Sequence, residues 1–245
     1  MRLLMAHGSP NYGHSGICYV QRSMPFTYTL GGHRPPAADY AQADLMLLWG
    51  RSPTCASAPM GGLRALTEAR RRGMRVVVIK PTQGGEGRFS DEWLALRPGT
   101  DAALALSMLH VVIGEELYDR DFVRDWCFGF EELAEHVRQY TPQWAEGITG
   151  VPAGRIREVA RRYASTPRAA IDLGNGIEHA PGCSDAARAI AMLIALTGHL
   201  ERPGGNLWPP RFSMPALKNI ELKERITEEL ASRLLAPEMP LGLQP

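Results

Sequence analysis

ADLMLLWG at residues 43–50, RVVVI at 75–79 and AAIDL at 169–173 decide the fold. The first two runs are apolar almost throughout, with no polar alternation, as in strands buried on both faces of a parallel sheet. Between them, residues 61–73 carry Leu63, Leu66 and Ala69 on one helical face. Arg70, Arg71 and Arg72 crowd the last turn and Gly73 provides the stop, the usual ending of a helix. Strand, helix and strand within about 37 residues make one βαβ unit, with a right-handed crossover expected. The third run ends in Gly174-Asn175-Gly176 and reads as a further strand of the same sheet.

Outward from this unit the pattern turns helical. Residues 101–113 (DAALALSMLHVVI) form a strongly apolar helix with Thr100 or Asp101 as N-cap. Residues 119–127, 130–140 and 152–165 read as three more helices, the last amphipathic and Arg-rich. Residues 93–96 suit a short strand. Residues 184–200 suit an apolar helix capped by Ser184 and closed by Pro203-Gly204-Gly205. Residues 1–42 carry Gly8-Ser9-Pro10-Asn11, Gly31-Gly32 and Pro35-Pro36, which predict loop. From Trp208 onward prolines interrupt the pattern. The expected fold is α/β, a Rossmann-like parallel sheet flanked by helices, with a loop-rich N-terminal segment and an irregular C-terminal tail. The expected parts are 1–42, 43–207 and 208–245, and both ends read as edges of a larger polypeptide.

Composition bounds the function. The 245 residues are 44% hydrophobic and 22% charged, enough apolar material for a core. Twenty-seven Lys and Arg face 26 Asp and Glu, a net charge of +1. No bulk excess remains to bind nucleic acid or an anionic membrane. No apolar run reaches the roughly 18 residues of a membrane span, and Met1–Met5 is too short for a secretory signal. As written the chain reads as cytoplasmic, with a periplasmic location open to a longer, exported protein. The four cysteines, Cys18, Cys55, Cys127 and Cys183, stand far apart with no C-x-x-C pair. A zinc ribbon or an iron–sulfur cluster held by this chain alone is not expected. His7, His14, His33 and His199 lack metal-ligand spacing and read as loop or packing residues.

Ligands of open α/β sheets sit beyond the carboxyl ends of the strands. Three such ends are glycine-bearing or polar here: Gly50-Arg51-Ser52-Pro53, Lys80-Pro81-Thr82-Gln83-Gly84-Gly85 and Gly174-Asn175-Gly176. Glycines let a ligand approach the backbone, whose N–H groups bind phosphate oxygens. Arg51, Lys80 and Arg88 are the candidate cations for a diphosphate. Each loop taken singly also suits a plain βα turn. Three in register favour a nucleotide-type ligand. The pattern G-x-G-x-x-G is only half met by Gly85, Gly87 and Ser90, and there is no P-loop motif. Asp101, after Arg97-Pro98-Gly99-Thr100, suits either an N-cap or an acceptor for the donor edge of guanine. Cys18 suits either a small buried residue or one soft ligand to a metal held mostly from elsewhere.

Taken together, ADLMLLWGRSPTCASAP (43–59), VVVIKP (76–81), WLALRPGTDAALALSMLHVVI (93–113), IDLGNG (171–176) and ALTGHLERPGGNL (195–207) resemble the dimethyl sulfoxide reductase family of molybdopterin oxidoreductases. YDRDFVRDWCFGFEEL (118–133) and YTPQWAEGITGVPAGRIREVARRYA (140–164) follow in the family's order, and the likeness covers about residues 8–207. It implies a bis(molybdopterin guanine dinucleotide) cofactor carrying molybdenum or tungsten, with this chain supplying the α/β domain that binds one guanine dinucleotide. It implies cofactor contacts from Gly50, Arg51, Ser52, Lys80, Pro81, Thr82, Gly99, Asp101, Gly174 and Gly176, and makes Cys18 the metal ligand. Cys-ligated members act on sulfur oxyanions, polysulfide or formate; acetylene hydratase hydrates without net redox. Three departures touch the ribose and diphosphate contacts. Ser52 stands where the family pattern has Asn, Lys80 where it has an acid, and Thr82-Gln83-Gly84 where it has R-x-T. The family's iron–sulfur segment and its C-terminal domain are implied as missing or partner parts. The resemblance thus points to part of a catalytic subunit, with a truncated cofactor-binding remnant as the alternative.

Overall fold

The structure is a computed structural model that describes residues 19–32, 35–55 and 62–208. Its centre is a four-stranded parallel sheet in the order β4-β3-β2-β5. The strands are β2 (Leu45–Trp49), β3 (Arg75–Ile79), β4 (Glu92–Leu94) and β5 (Ala169–Leu173). A pair of two-residue strands, β1 (Ala37–Ala38) and β6 (Asn206–Leu207), runs antiparallel beside it. The three apolar runs lie where the sequence put them. The short strand falls at 92–94, starting one residue before and ending two before the expected 93–96.

Alternation along the strands divides the interior. Leu45, Leu47 and Trp49 of β2 join Val77 and Ile79 of β3 in the larger cluster, while Met46, Leu48, Val76 and Val78 face the smaller one. Helix α2 (Gly62–Arg71) covers the smaller face through Leu66 and Ala69. The larger face is covered by α3 (Asp101–Gly114), α6 (Pro142–Thr149), α7 (Ala153–Ser165) and α8 (Cys183–Leu196). Helices α4 (Arg120–Trp126) and α5 (Phe130–Val137) lie between α3 and α6 in the chain. Two-sided burial is why β2 is apolar at every position.

Several expectations are corrected. Residues 20–30, expected as loop, form helix α1 (Val20–Leu30) despite Pro25 within it. Its Ser, Thr, Tyr and Pro residues are weak helix formers, but Phe26 is buried and the helix packs along α8, so tertiary contact outweighs propensity. Gly31, at φ 74°, ends it by donating its N–H to Thr27. Helix α6 was not expected at all, although Thr141 caps it, Pro142 opens it and Gly150 ends it in the left-handed conformation. Helix α8 starts at Cys183 after left-handed Gly182, and Ser184 is not its cap. It stops at Leu196, four residues short of the expected end, where the chain turns at Gly198 (φ 72°).

The PGGN string at 203–206 has a structural task. Asn206 accepts from the Ile171 N–H and donates to the Ile171 carbonyl, both at 2.9 Å. Its amide thus continues the backbone pairing at the edge of β5, where an unpaired strand is a liability. Among the described residues no helix is long and apolar enough to cross a membrane.

Candidate functional site

Because β3, β2 and β5 are neighbours, their carboxyl ends emerge side by side: Trp49 stands opposite Ile79 on one side and Leu173 on the other. The loops that follow are tied together. Gly174 donates its N–H to the Trp49 carbonyl at 2.9 Å, and Gly176 donates to that of Gly50 at 3.1 Å. A Cβ at Gly174 would lie 2.0 Å from the Gly50 carbonyl oxygen and 2.5 Å from Arg51 Cα. Gly174 is therefore required by close backbone packing. Gly50 itself has φ 57°, a conformation glycine adopts without strain.

The turn before α3 joins the same end of the sheet. Gly99 has φ 79°, and its missing Cβ would sit 3.4 Å from Ala180 in the loop after β5. Asp101 opens α3 but does not cap it. Its Oδ1 accepts from the Trp49 indole N–H at 2.8 Å, and Thr100, the N-cap by position, makes no side-chain cap bond. Asp101 is 8% exposed. Burial pushes its carboxyl above the usual aspartate range, against the Trp49 bond and its own backbone, which pull it down. Oδ2 takes no side-chain donor among the described residues.

Two cation–carboxylate pairs flank these glycines. Arg51 Nε contacts Asp172 Oδ2 at 3.0 Å, and the same oxygen accepts from the Tyr40 hydroxyl at 2.6 Å. Lys80 makes the other pair. Its ammonium meets Glu86 Oε2 and donates to Ser52 Oγ at 2.9 Å, while Thr54 donates to the other Glu86 oxygen. Lys80 is 9% exposed and Glu86 1%. Lys80 is therefore not a free cation for a diphosphate: its charge is neutralised by a loop residue with no obvious sequence signal. Pro81 and Thr82 are exposed on the same loop, and Arg88 closes its 3₁₀ turn.

Cys18 lies outside the described residues. Its successor Tyr19 donates a backbone N–H to Glu178 in the loop after β5. Glu178, 5% exposed, is also ion-paired with Arg22 at 3.1 Å, and Arg22 donates to the Leu173 carbonyl at 2.7 Å. The start of α1 is thus fastened to the same strand end. Sequence reading missed Tyr40, Glu86, Asp172 and Glu178. Asp172 alone had a visible signal, as the one charged residue in an otherwise apolar strand.

A separate cavity of about 1340 Å³ opens among α1, α3, α4, α5 and α8, lined by Tyr28, Leu106, Trp126, Phe130 and Met192 among others. None of the candidate residues lines it. Among the described residues no group of three His, Cys, Asp or Glu side chains suits a metal ion.

This strand-end geometry can be set beside known proteins. A family profile for molybdopterin oxidoreductases matches residues 5–220. The chain belongs to the molybdopterin oxidoreductase family. It is 35% identical over 192 residues to the probable oxidoreductase YoaE of Bacillus subtilis, covering 77% of this chain and 28% of that protein. It is 32% identical over 238 residues to acetylene hydratase of Syntrophotalea acetylenica, covering 97% of this chain and 32% of the relative. A solved structure of acetylene hydratase from Pelobacter acetylenicus aligns over 97% of this chain and 32% of its own, with a TM-score of 0.77 and 31% identity. The chain thus spans about a third of the length of these relatives. Membership implies a molybdopterin cofactor with molybdenum. The residues present fit such a group in part. Gly50, Gly174 and Gly176 keep the strand ends slim, Arg51 offers a cation and Asp101 an acceptor, whereas Lys80 is already taken.

Proposed function

We propose that the chain is part of the catalytic subunit of a bis(molybdopterin guanine dinucleotide) oxidoreductase with molybdenum or tungsten, and that it cradles one guanine dinucleotide. The observation that carries this reading is the convergence of the Gly50 and Gly174 loops with Arg51 and Asp101 at one end of the sheet. Asp101 accepts hydrogen bonds from the N1–H and amine of guanine, its other oxygen held still by Trp49. Arg51 pairs with the diphosphate, since a guanidinium suits phosphate oxygens in a fork. Gly174 and Gly176 admit the ligand's close approach, and Ser52, Pro81, Thr82 and Gly99 line the approach to it. Lys80 acts by tying the β2 and β3 loops together through Ser52 and Glu86.

Cys18 supplies the protein thiolate to the metal, a soft ligand in a sulfur-rich sphere. The Tyr19 and Arg22 contacts with Glu178 support its placement, because they hold the next residue of the chain at the strand ends. When bound, the cofactor supplies two-electron redox chemistry at its metal. The substrate is small, of the sulfur oxyanion, polysulfide or formate type, and an iron–sulfur segment in the missing or partner polypeptide carries the electrons. The likeness to acetylene hydratase over 97% of the chain favours hydration without net redox as a second reading.

The test is to measure molybdenum, tungsten and releasable guanine nucleotide in the purified protein. Stoichiometric metal with about two guanines per metal supports a working site. Folded protein with neither metal nor guanine would instead support a non-catalytic remnant. In a full subunit, Cys18→Ser should sharply lower turnover and leave pterin content largely intact; unchanged turnover would refute the ligand assignment.

A further inference from the structure

Arg51 is held to its carboxylate by a single nitrogen. Its contact with Asp172 uses Nε, the inner nitrogen of the guanidinium. A guanidinium has five N–H donors, four of them on the two outer amines. Those amines have no protein acceptor among the described residues, and the side chain keeps 26% of its exposure. Arg70 gives Asp91 both outer amines, and Arg168 and Arg161 give Asp44 and Glu115 Nε and one outer amine, so none of these three pairs leaves both outer amines free as Arg51 does.

The partner is itself fixed. Asp172 lies on β5, in register with Leu48 of β2. Its Oδ2 takes both the Arg51 contact and the Tyr40 hydroxyl. Tyr40 packs against the smaller core cluster, and burial, then the Asp172 carboxylate, hold its phenol well above the ordinary value. Tyr40 therefore remains a donor. On the other side, Gly174 lets the Arg51 backbone lie against β5, closer than any side chain would allow.

We infer that Asp172 and Tyr40 are positioning residues that grip Arg51 by its inner nitrogen and aim its outer fork at phosphate oxygens of a guanosine diphosphate moiety. This rests on the reading of the strand ends as a guanine dinucleotide cradle. The gain is pre-organisation: a long side chain already fixed loses less freedom on binding.

The experiment titrates the purified protein with GDP and, separately, with guanosine, by calorimetry. The wild type should bind GDP more tightly than guanosine, and Arg51→Ala should erase that preference. Asp172→Ala should weaken GDP binding about tenfold, the scale of one charge-assisted contact, and leave guanosine binding unchanged. Tyr40→Phe should weaken GDP binding about threefold. Asp172→Asn, which keeps an acceptor oxygen, should restore part of the loss. Adding Asp172→Ala to Arg51→Ala should change nothing further, because the two act as one unit. If Arg51→Ala lowers GDP affinity while the Asp172 and Tyr40 variants bind like wild type, the positioning role is wrong and the cradle stands. Equal losses for GDP and guanosine in those variants would mean a merely structural role and overturn it. If the wild type binds neither GDP nor guanosine, the cradle reading fails, and this inference with it.

Discussion

Two neighbouring strand ends hold the same kind of pair in opposite ways. At the end of β3, Lys80 and Glu86 are buried together, and Ser52 and Thr54 complete their bonding. At the end of β2, Arg51 meets Asp172 by one nitrogen only, and both side chains stay partly exposed. The first pair is closed on itself and joins the β2 and β3 loops; the second is half open, with the outer amines of Arg51 facing no protein acceptor among the described residues. Both cations stand alike in the sequence, so the difference lies in what the third dimension brings to each.

The largest effect is expected from breaking the closed pair. Glu86→Ala would leave the Lys80 ammonium buried without a counter-charge, at a cost of about 3 kcal/mol or more. Replacing both together, Lys80→Met with Glu86→Leu, should cost far less. Thermal unfolding of the two variants checks this, and a single variant as stable as wild type would show that the pair is not closed. Burial works to raise the Glu86 carboxyl, but the bonds from Lys80 and Thr54 hold it below its ordinary value. Its stabilisation is therefore present above the usual glutamate pKa of about 4.3 and lost as the pH falls through the lower folded value. The stability gap between wild type and Glu86→Ala should narrow in acid.

Next comes the contact that joins the two strand ends. Gly174→Ala forces a methyl group onto the Gly50 carbonyl, which should cost about 2 kcal/mol and weaken GDP binding as Arg51 is displaced. Gly73→Ala is the contrast: no atom lies within 4 Å of its added Cβ, and only the left-handed φ of 95° opposes it. GDP affinity intact in a folded Gly174→Ala protein would separate Arg51 from this backbone contact.

Asp101 sharpens the comparison from the ligand side. Asp101→Asn keeps an acceptor for Trp49 but cannot serve as a charged acceptor for guanine, so guanosine affinity should fall about tenfold. Stability should move the other way. A carboxyl whose folded pKa is raised by burial contributes stability below its unfolded pKa and loses it as the pH rises through the folded value. The Asn variant should match wild type in acid and exceed it near neutrality. A variant less stable at neutral pH would mean that the ionised form is welcome there. The smallest effect is expected for Thr54→Val, about 1 kcal/mol from one hydrogen bond to Glu86, with GDP binding unchanged.

Much of the sheet was legible because burial on both faces leaves a plain signature: β3 and β5 run over the residues read from their apolar runs. The misses share a cause. Helix α1 depends on packing along α8 with Phe26 buried, which no local pattern records. At the site, the glycines and Asp101 were visible from spacing, but Asp101 proved to serve Trp49, 52 positions away in the chain. Lys80 reads as a candidate cation for a diphosphate because Glu86 sits in a glycine-rich loop whose folding onto it also involves Thr54, from the loop after β2. Arg51 was named without its grip, since Tyr40 and Asp172 are separated by 132 positions.

The central claim is that the guanine nucleotide sits on the open β2–β5 side and not on the closed β3 loop. Hydrogen exchange of the protein with and without GDP tests it most directly. The expected result is slowed exchange at residues 50–52, 99–102 and 174–178, with residues 84–88 unchanged. Slowing confined to residues 84–88, or to the α4–α5 face around residues 126–133, would contradict it.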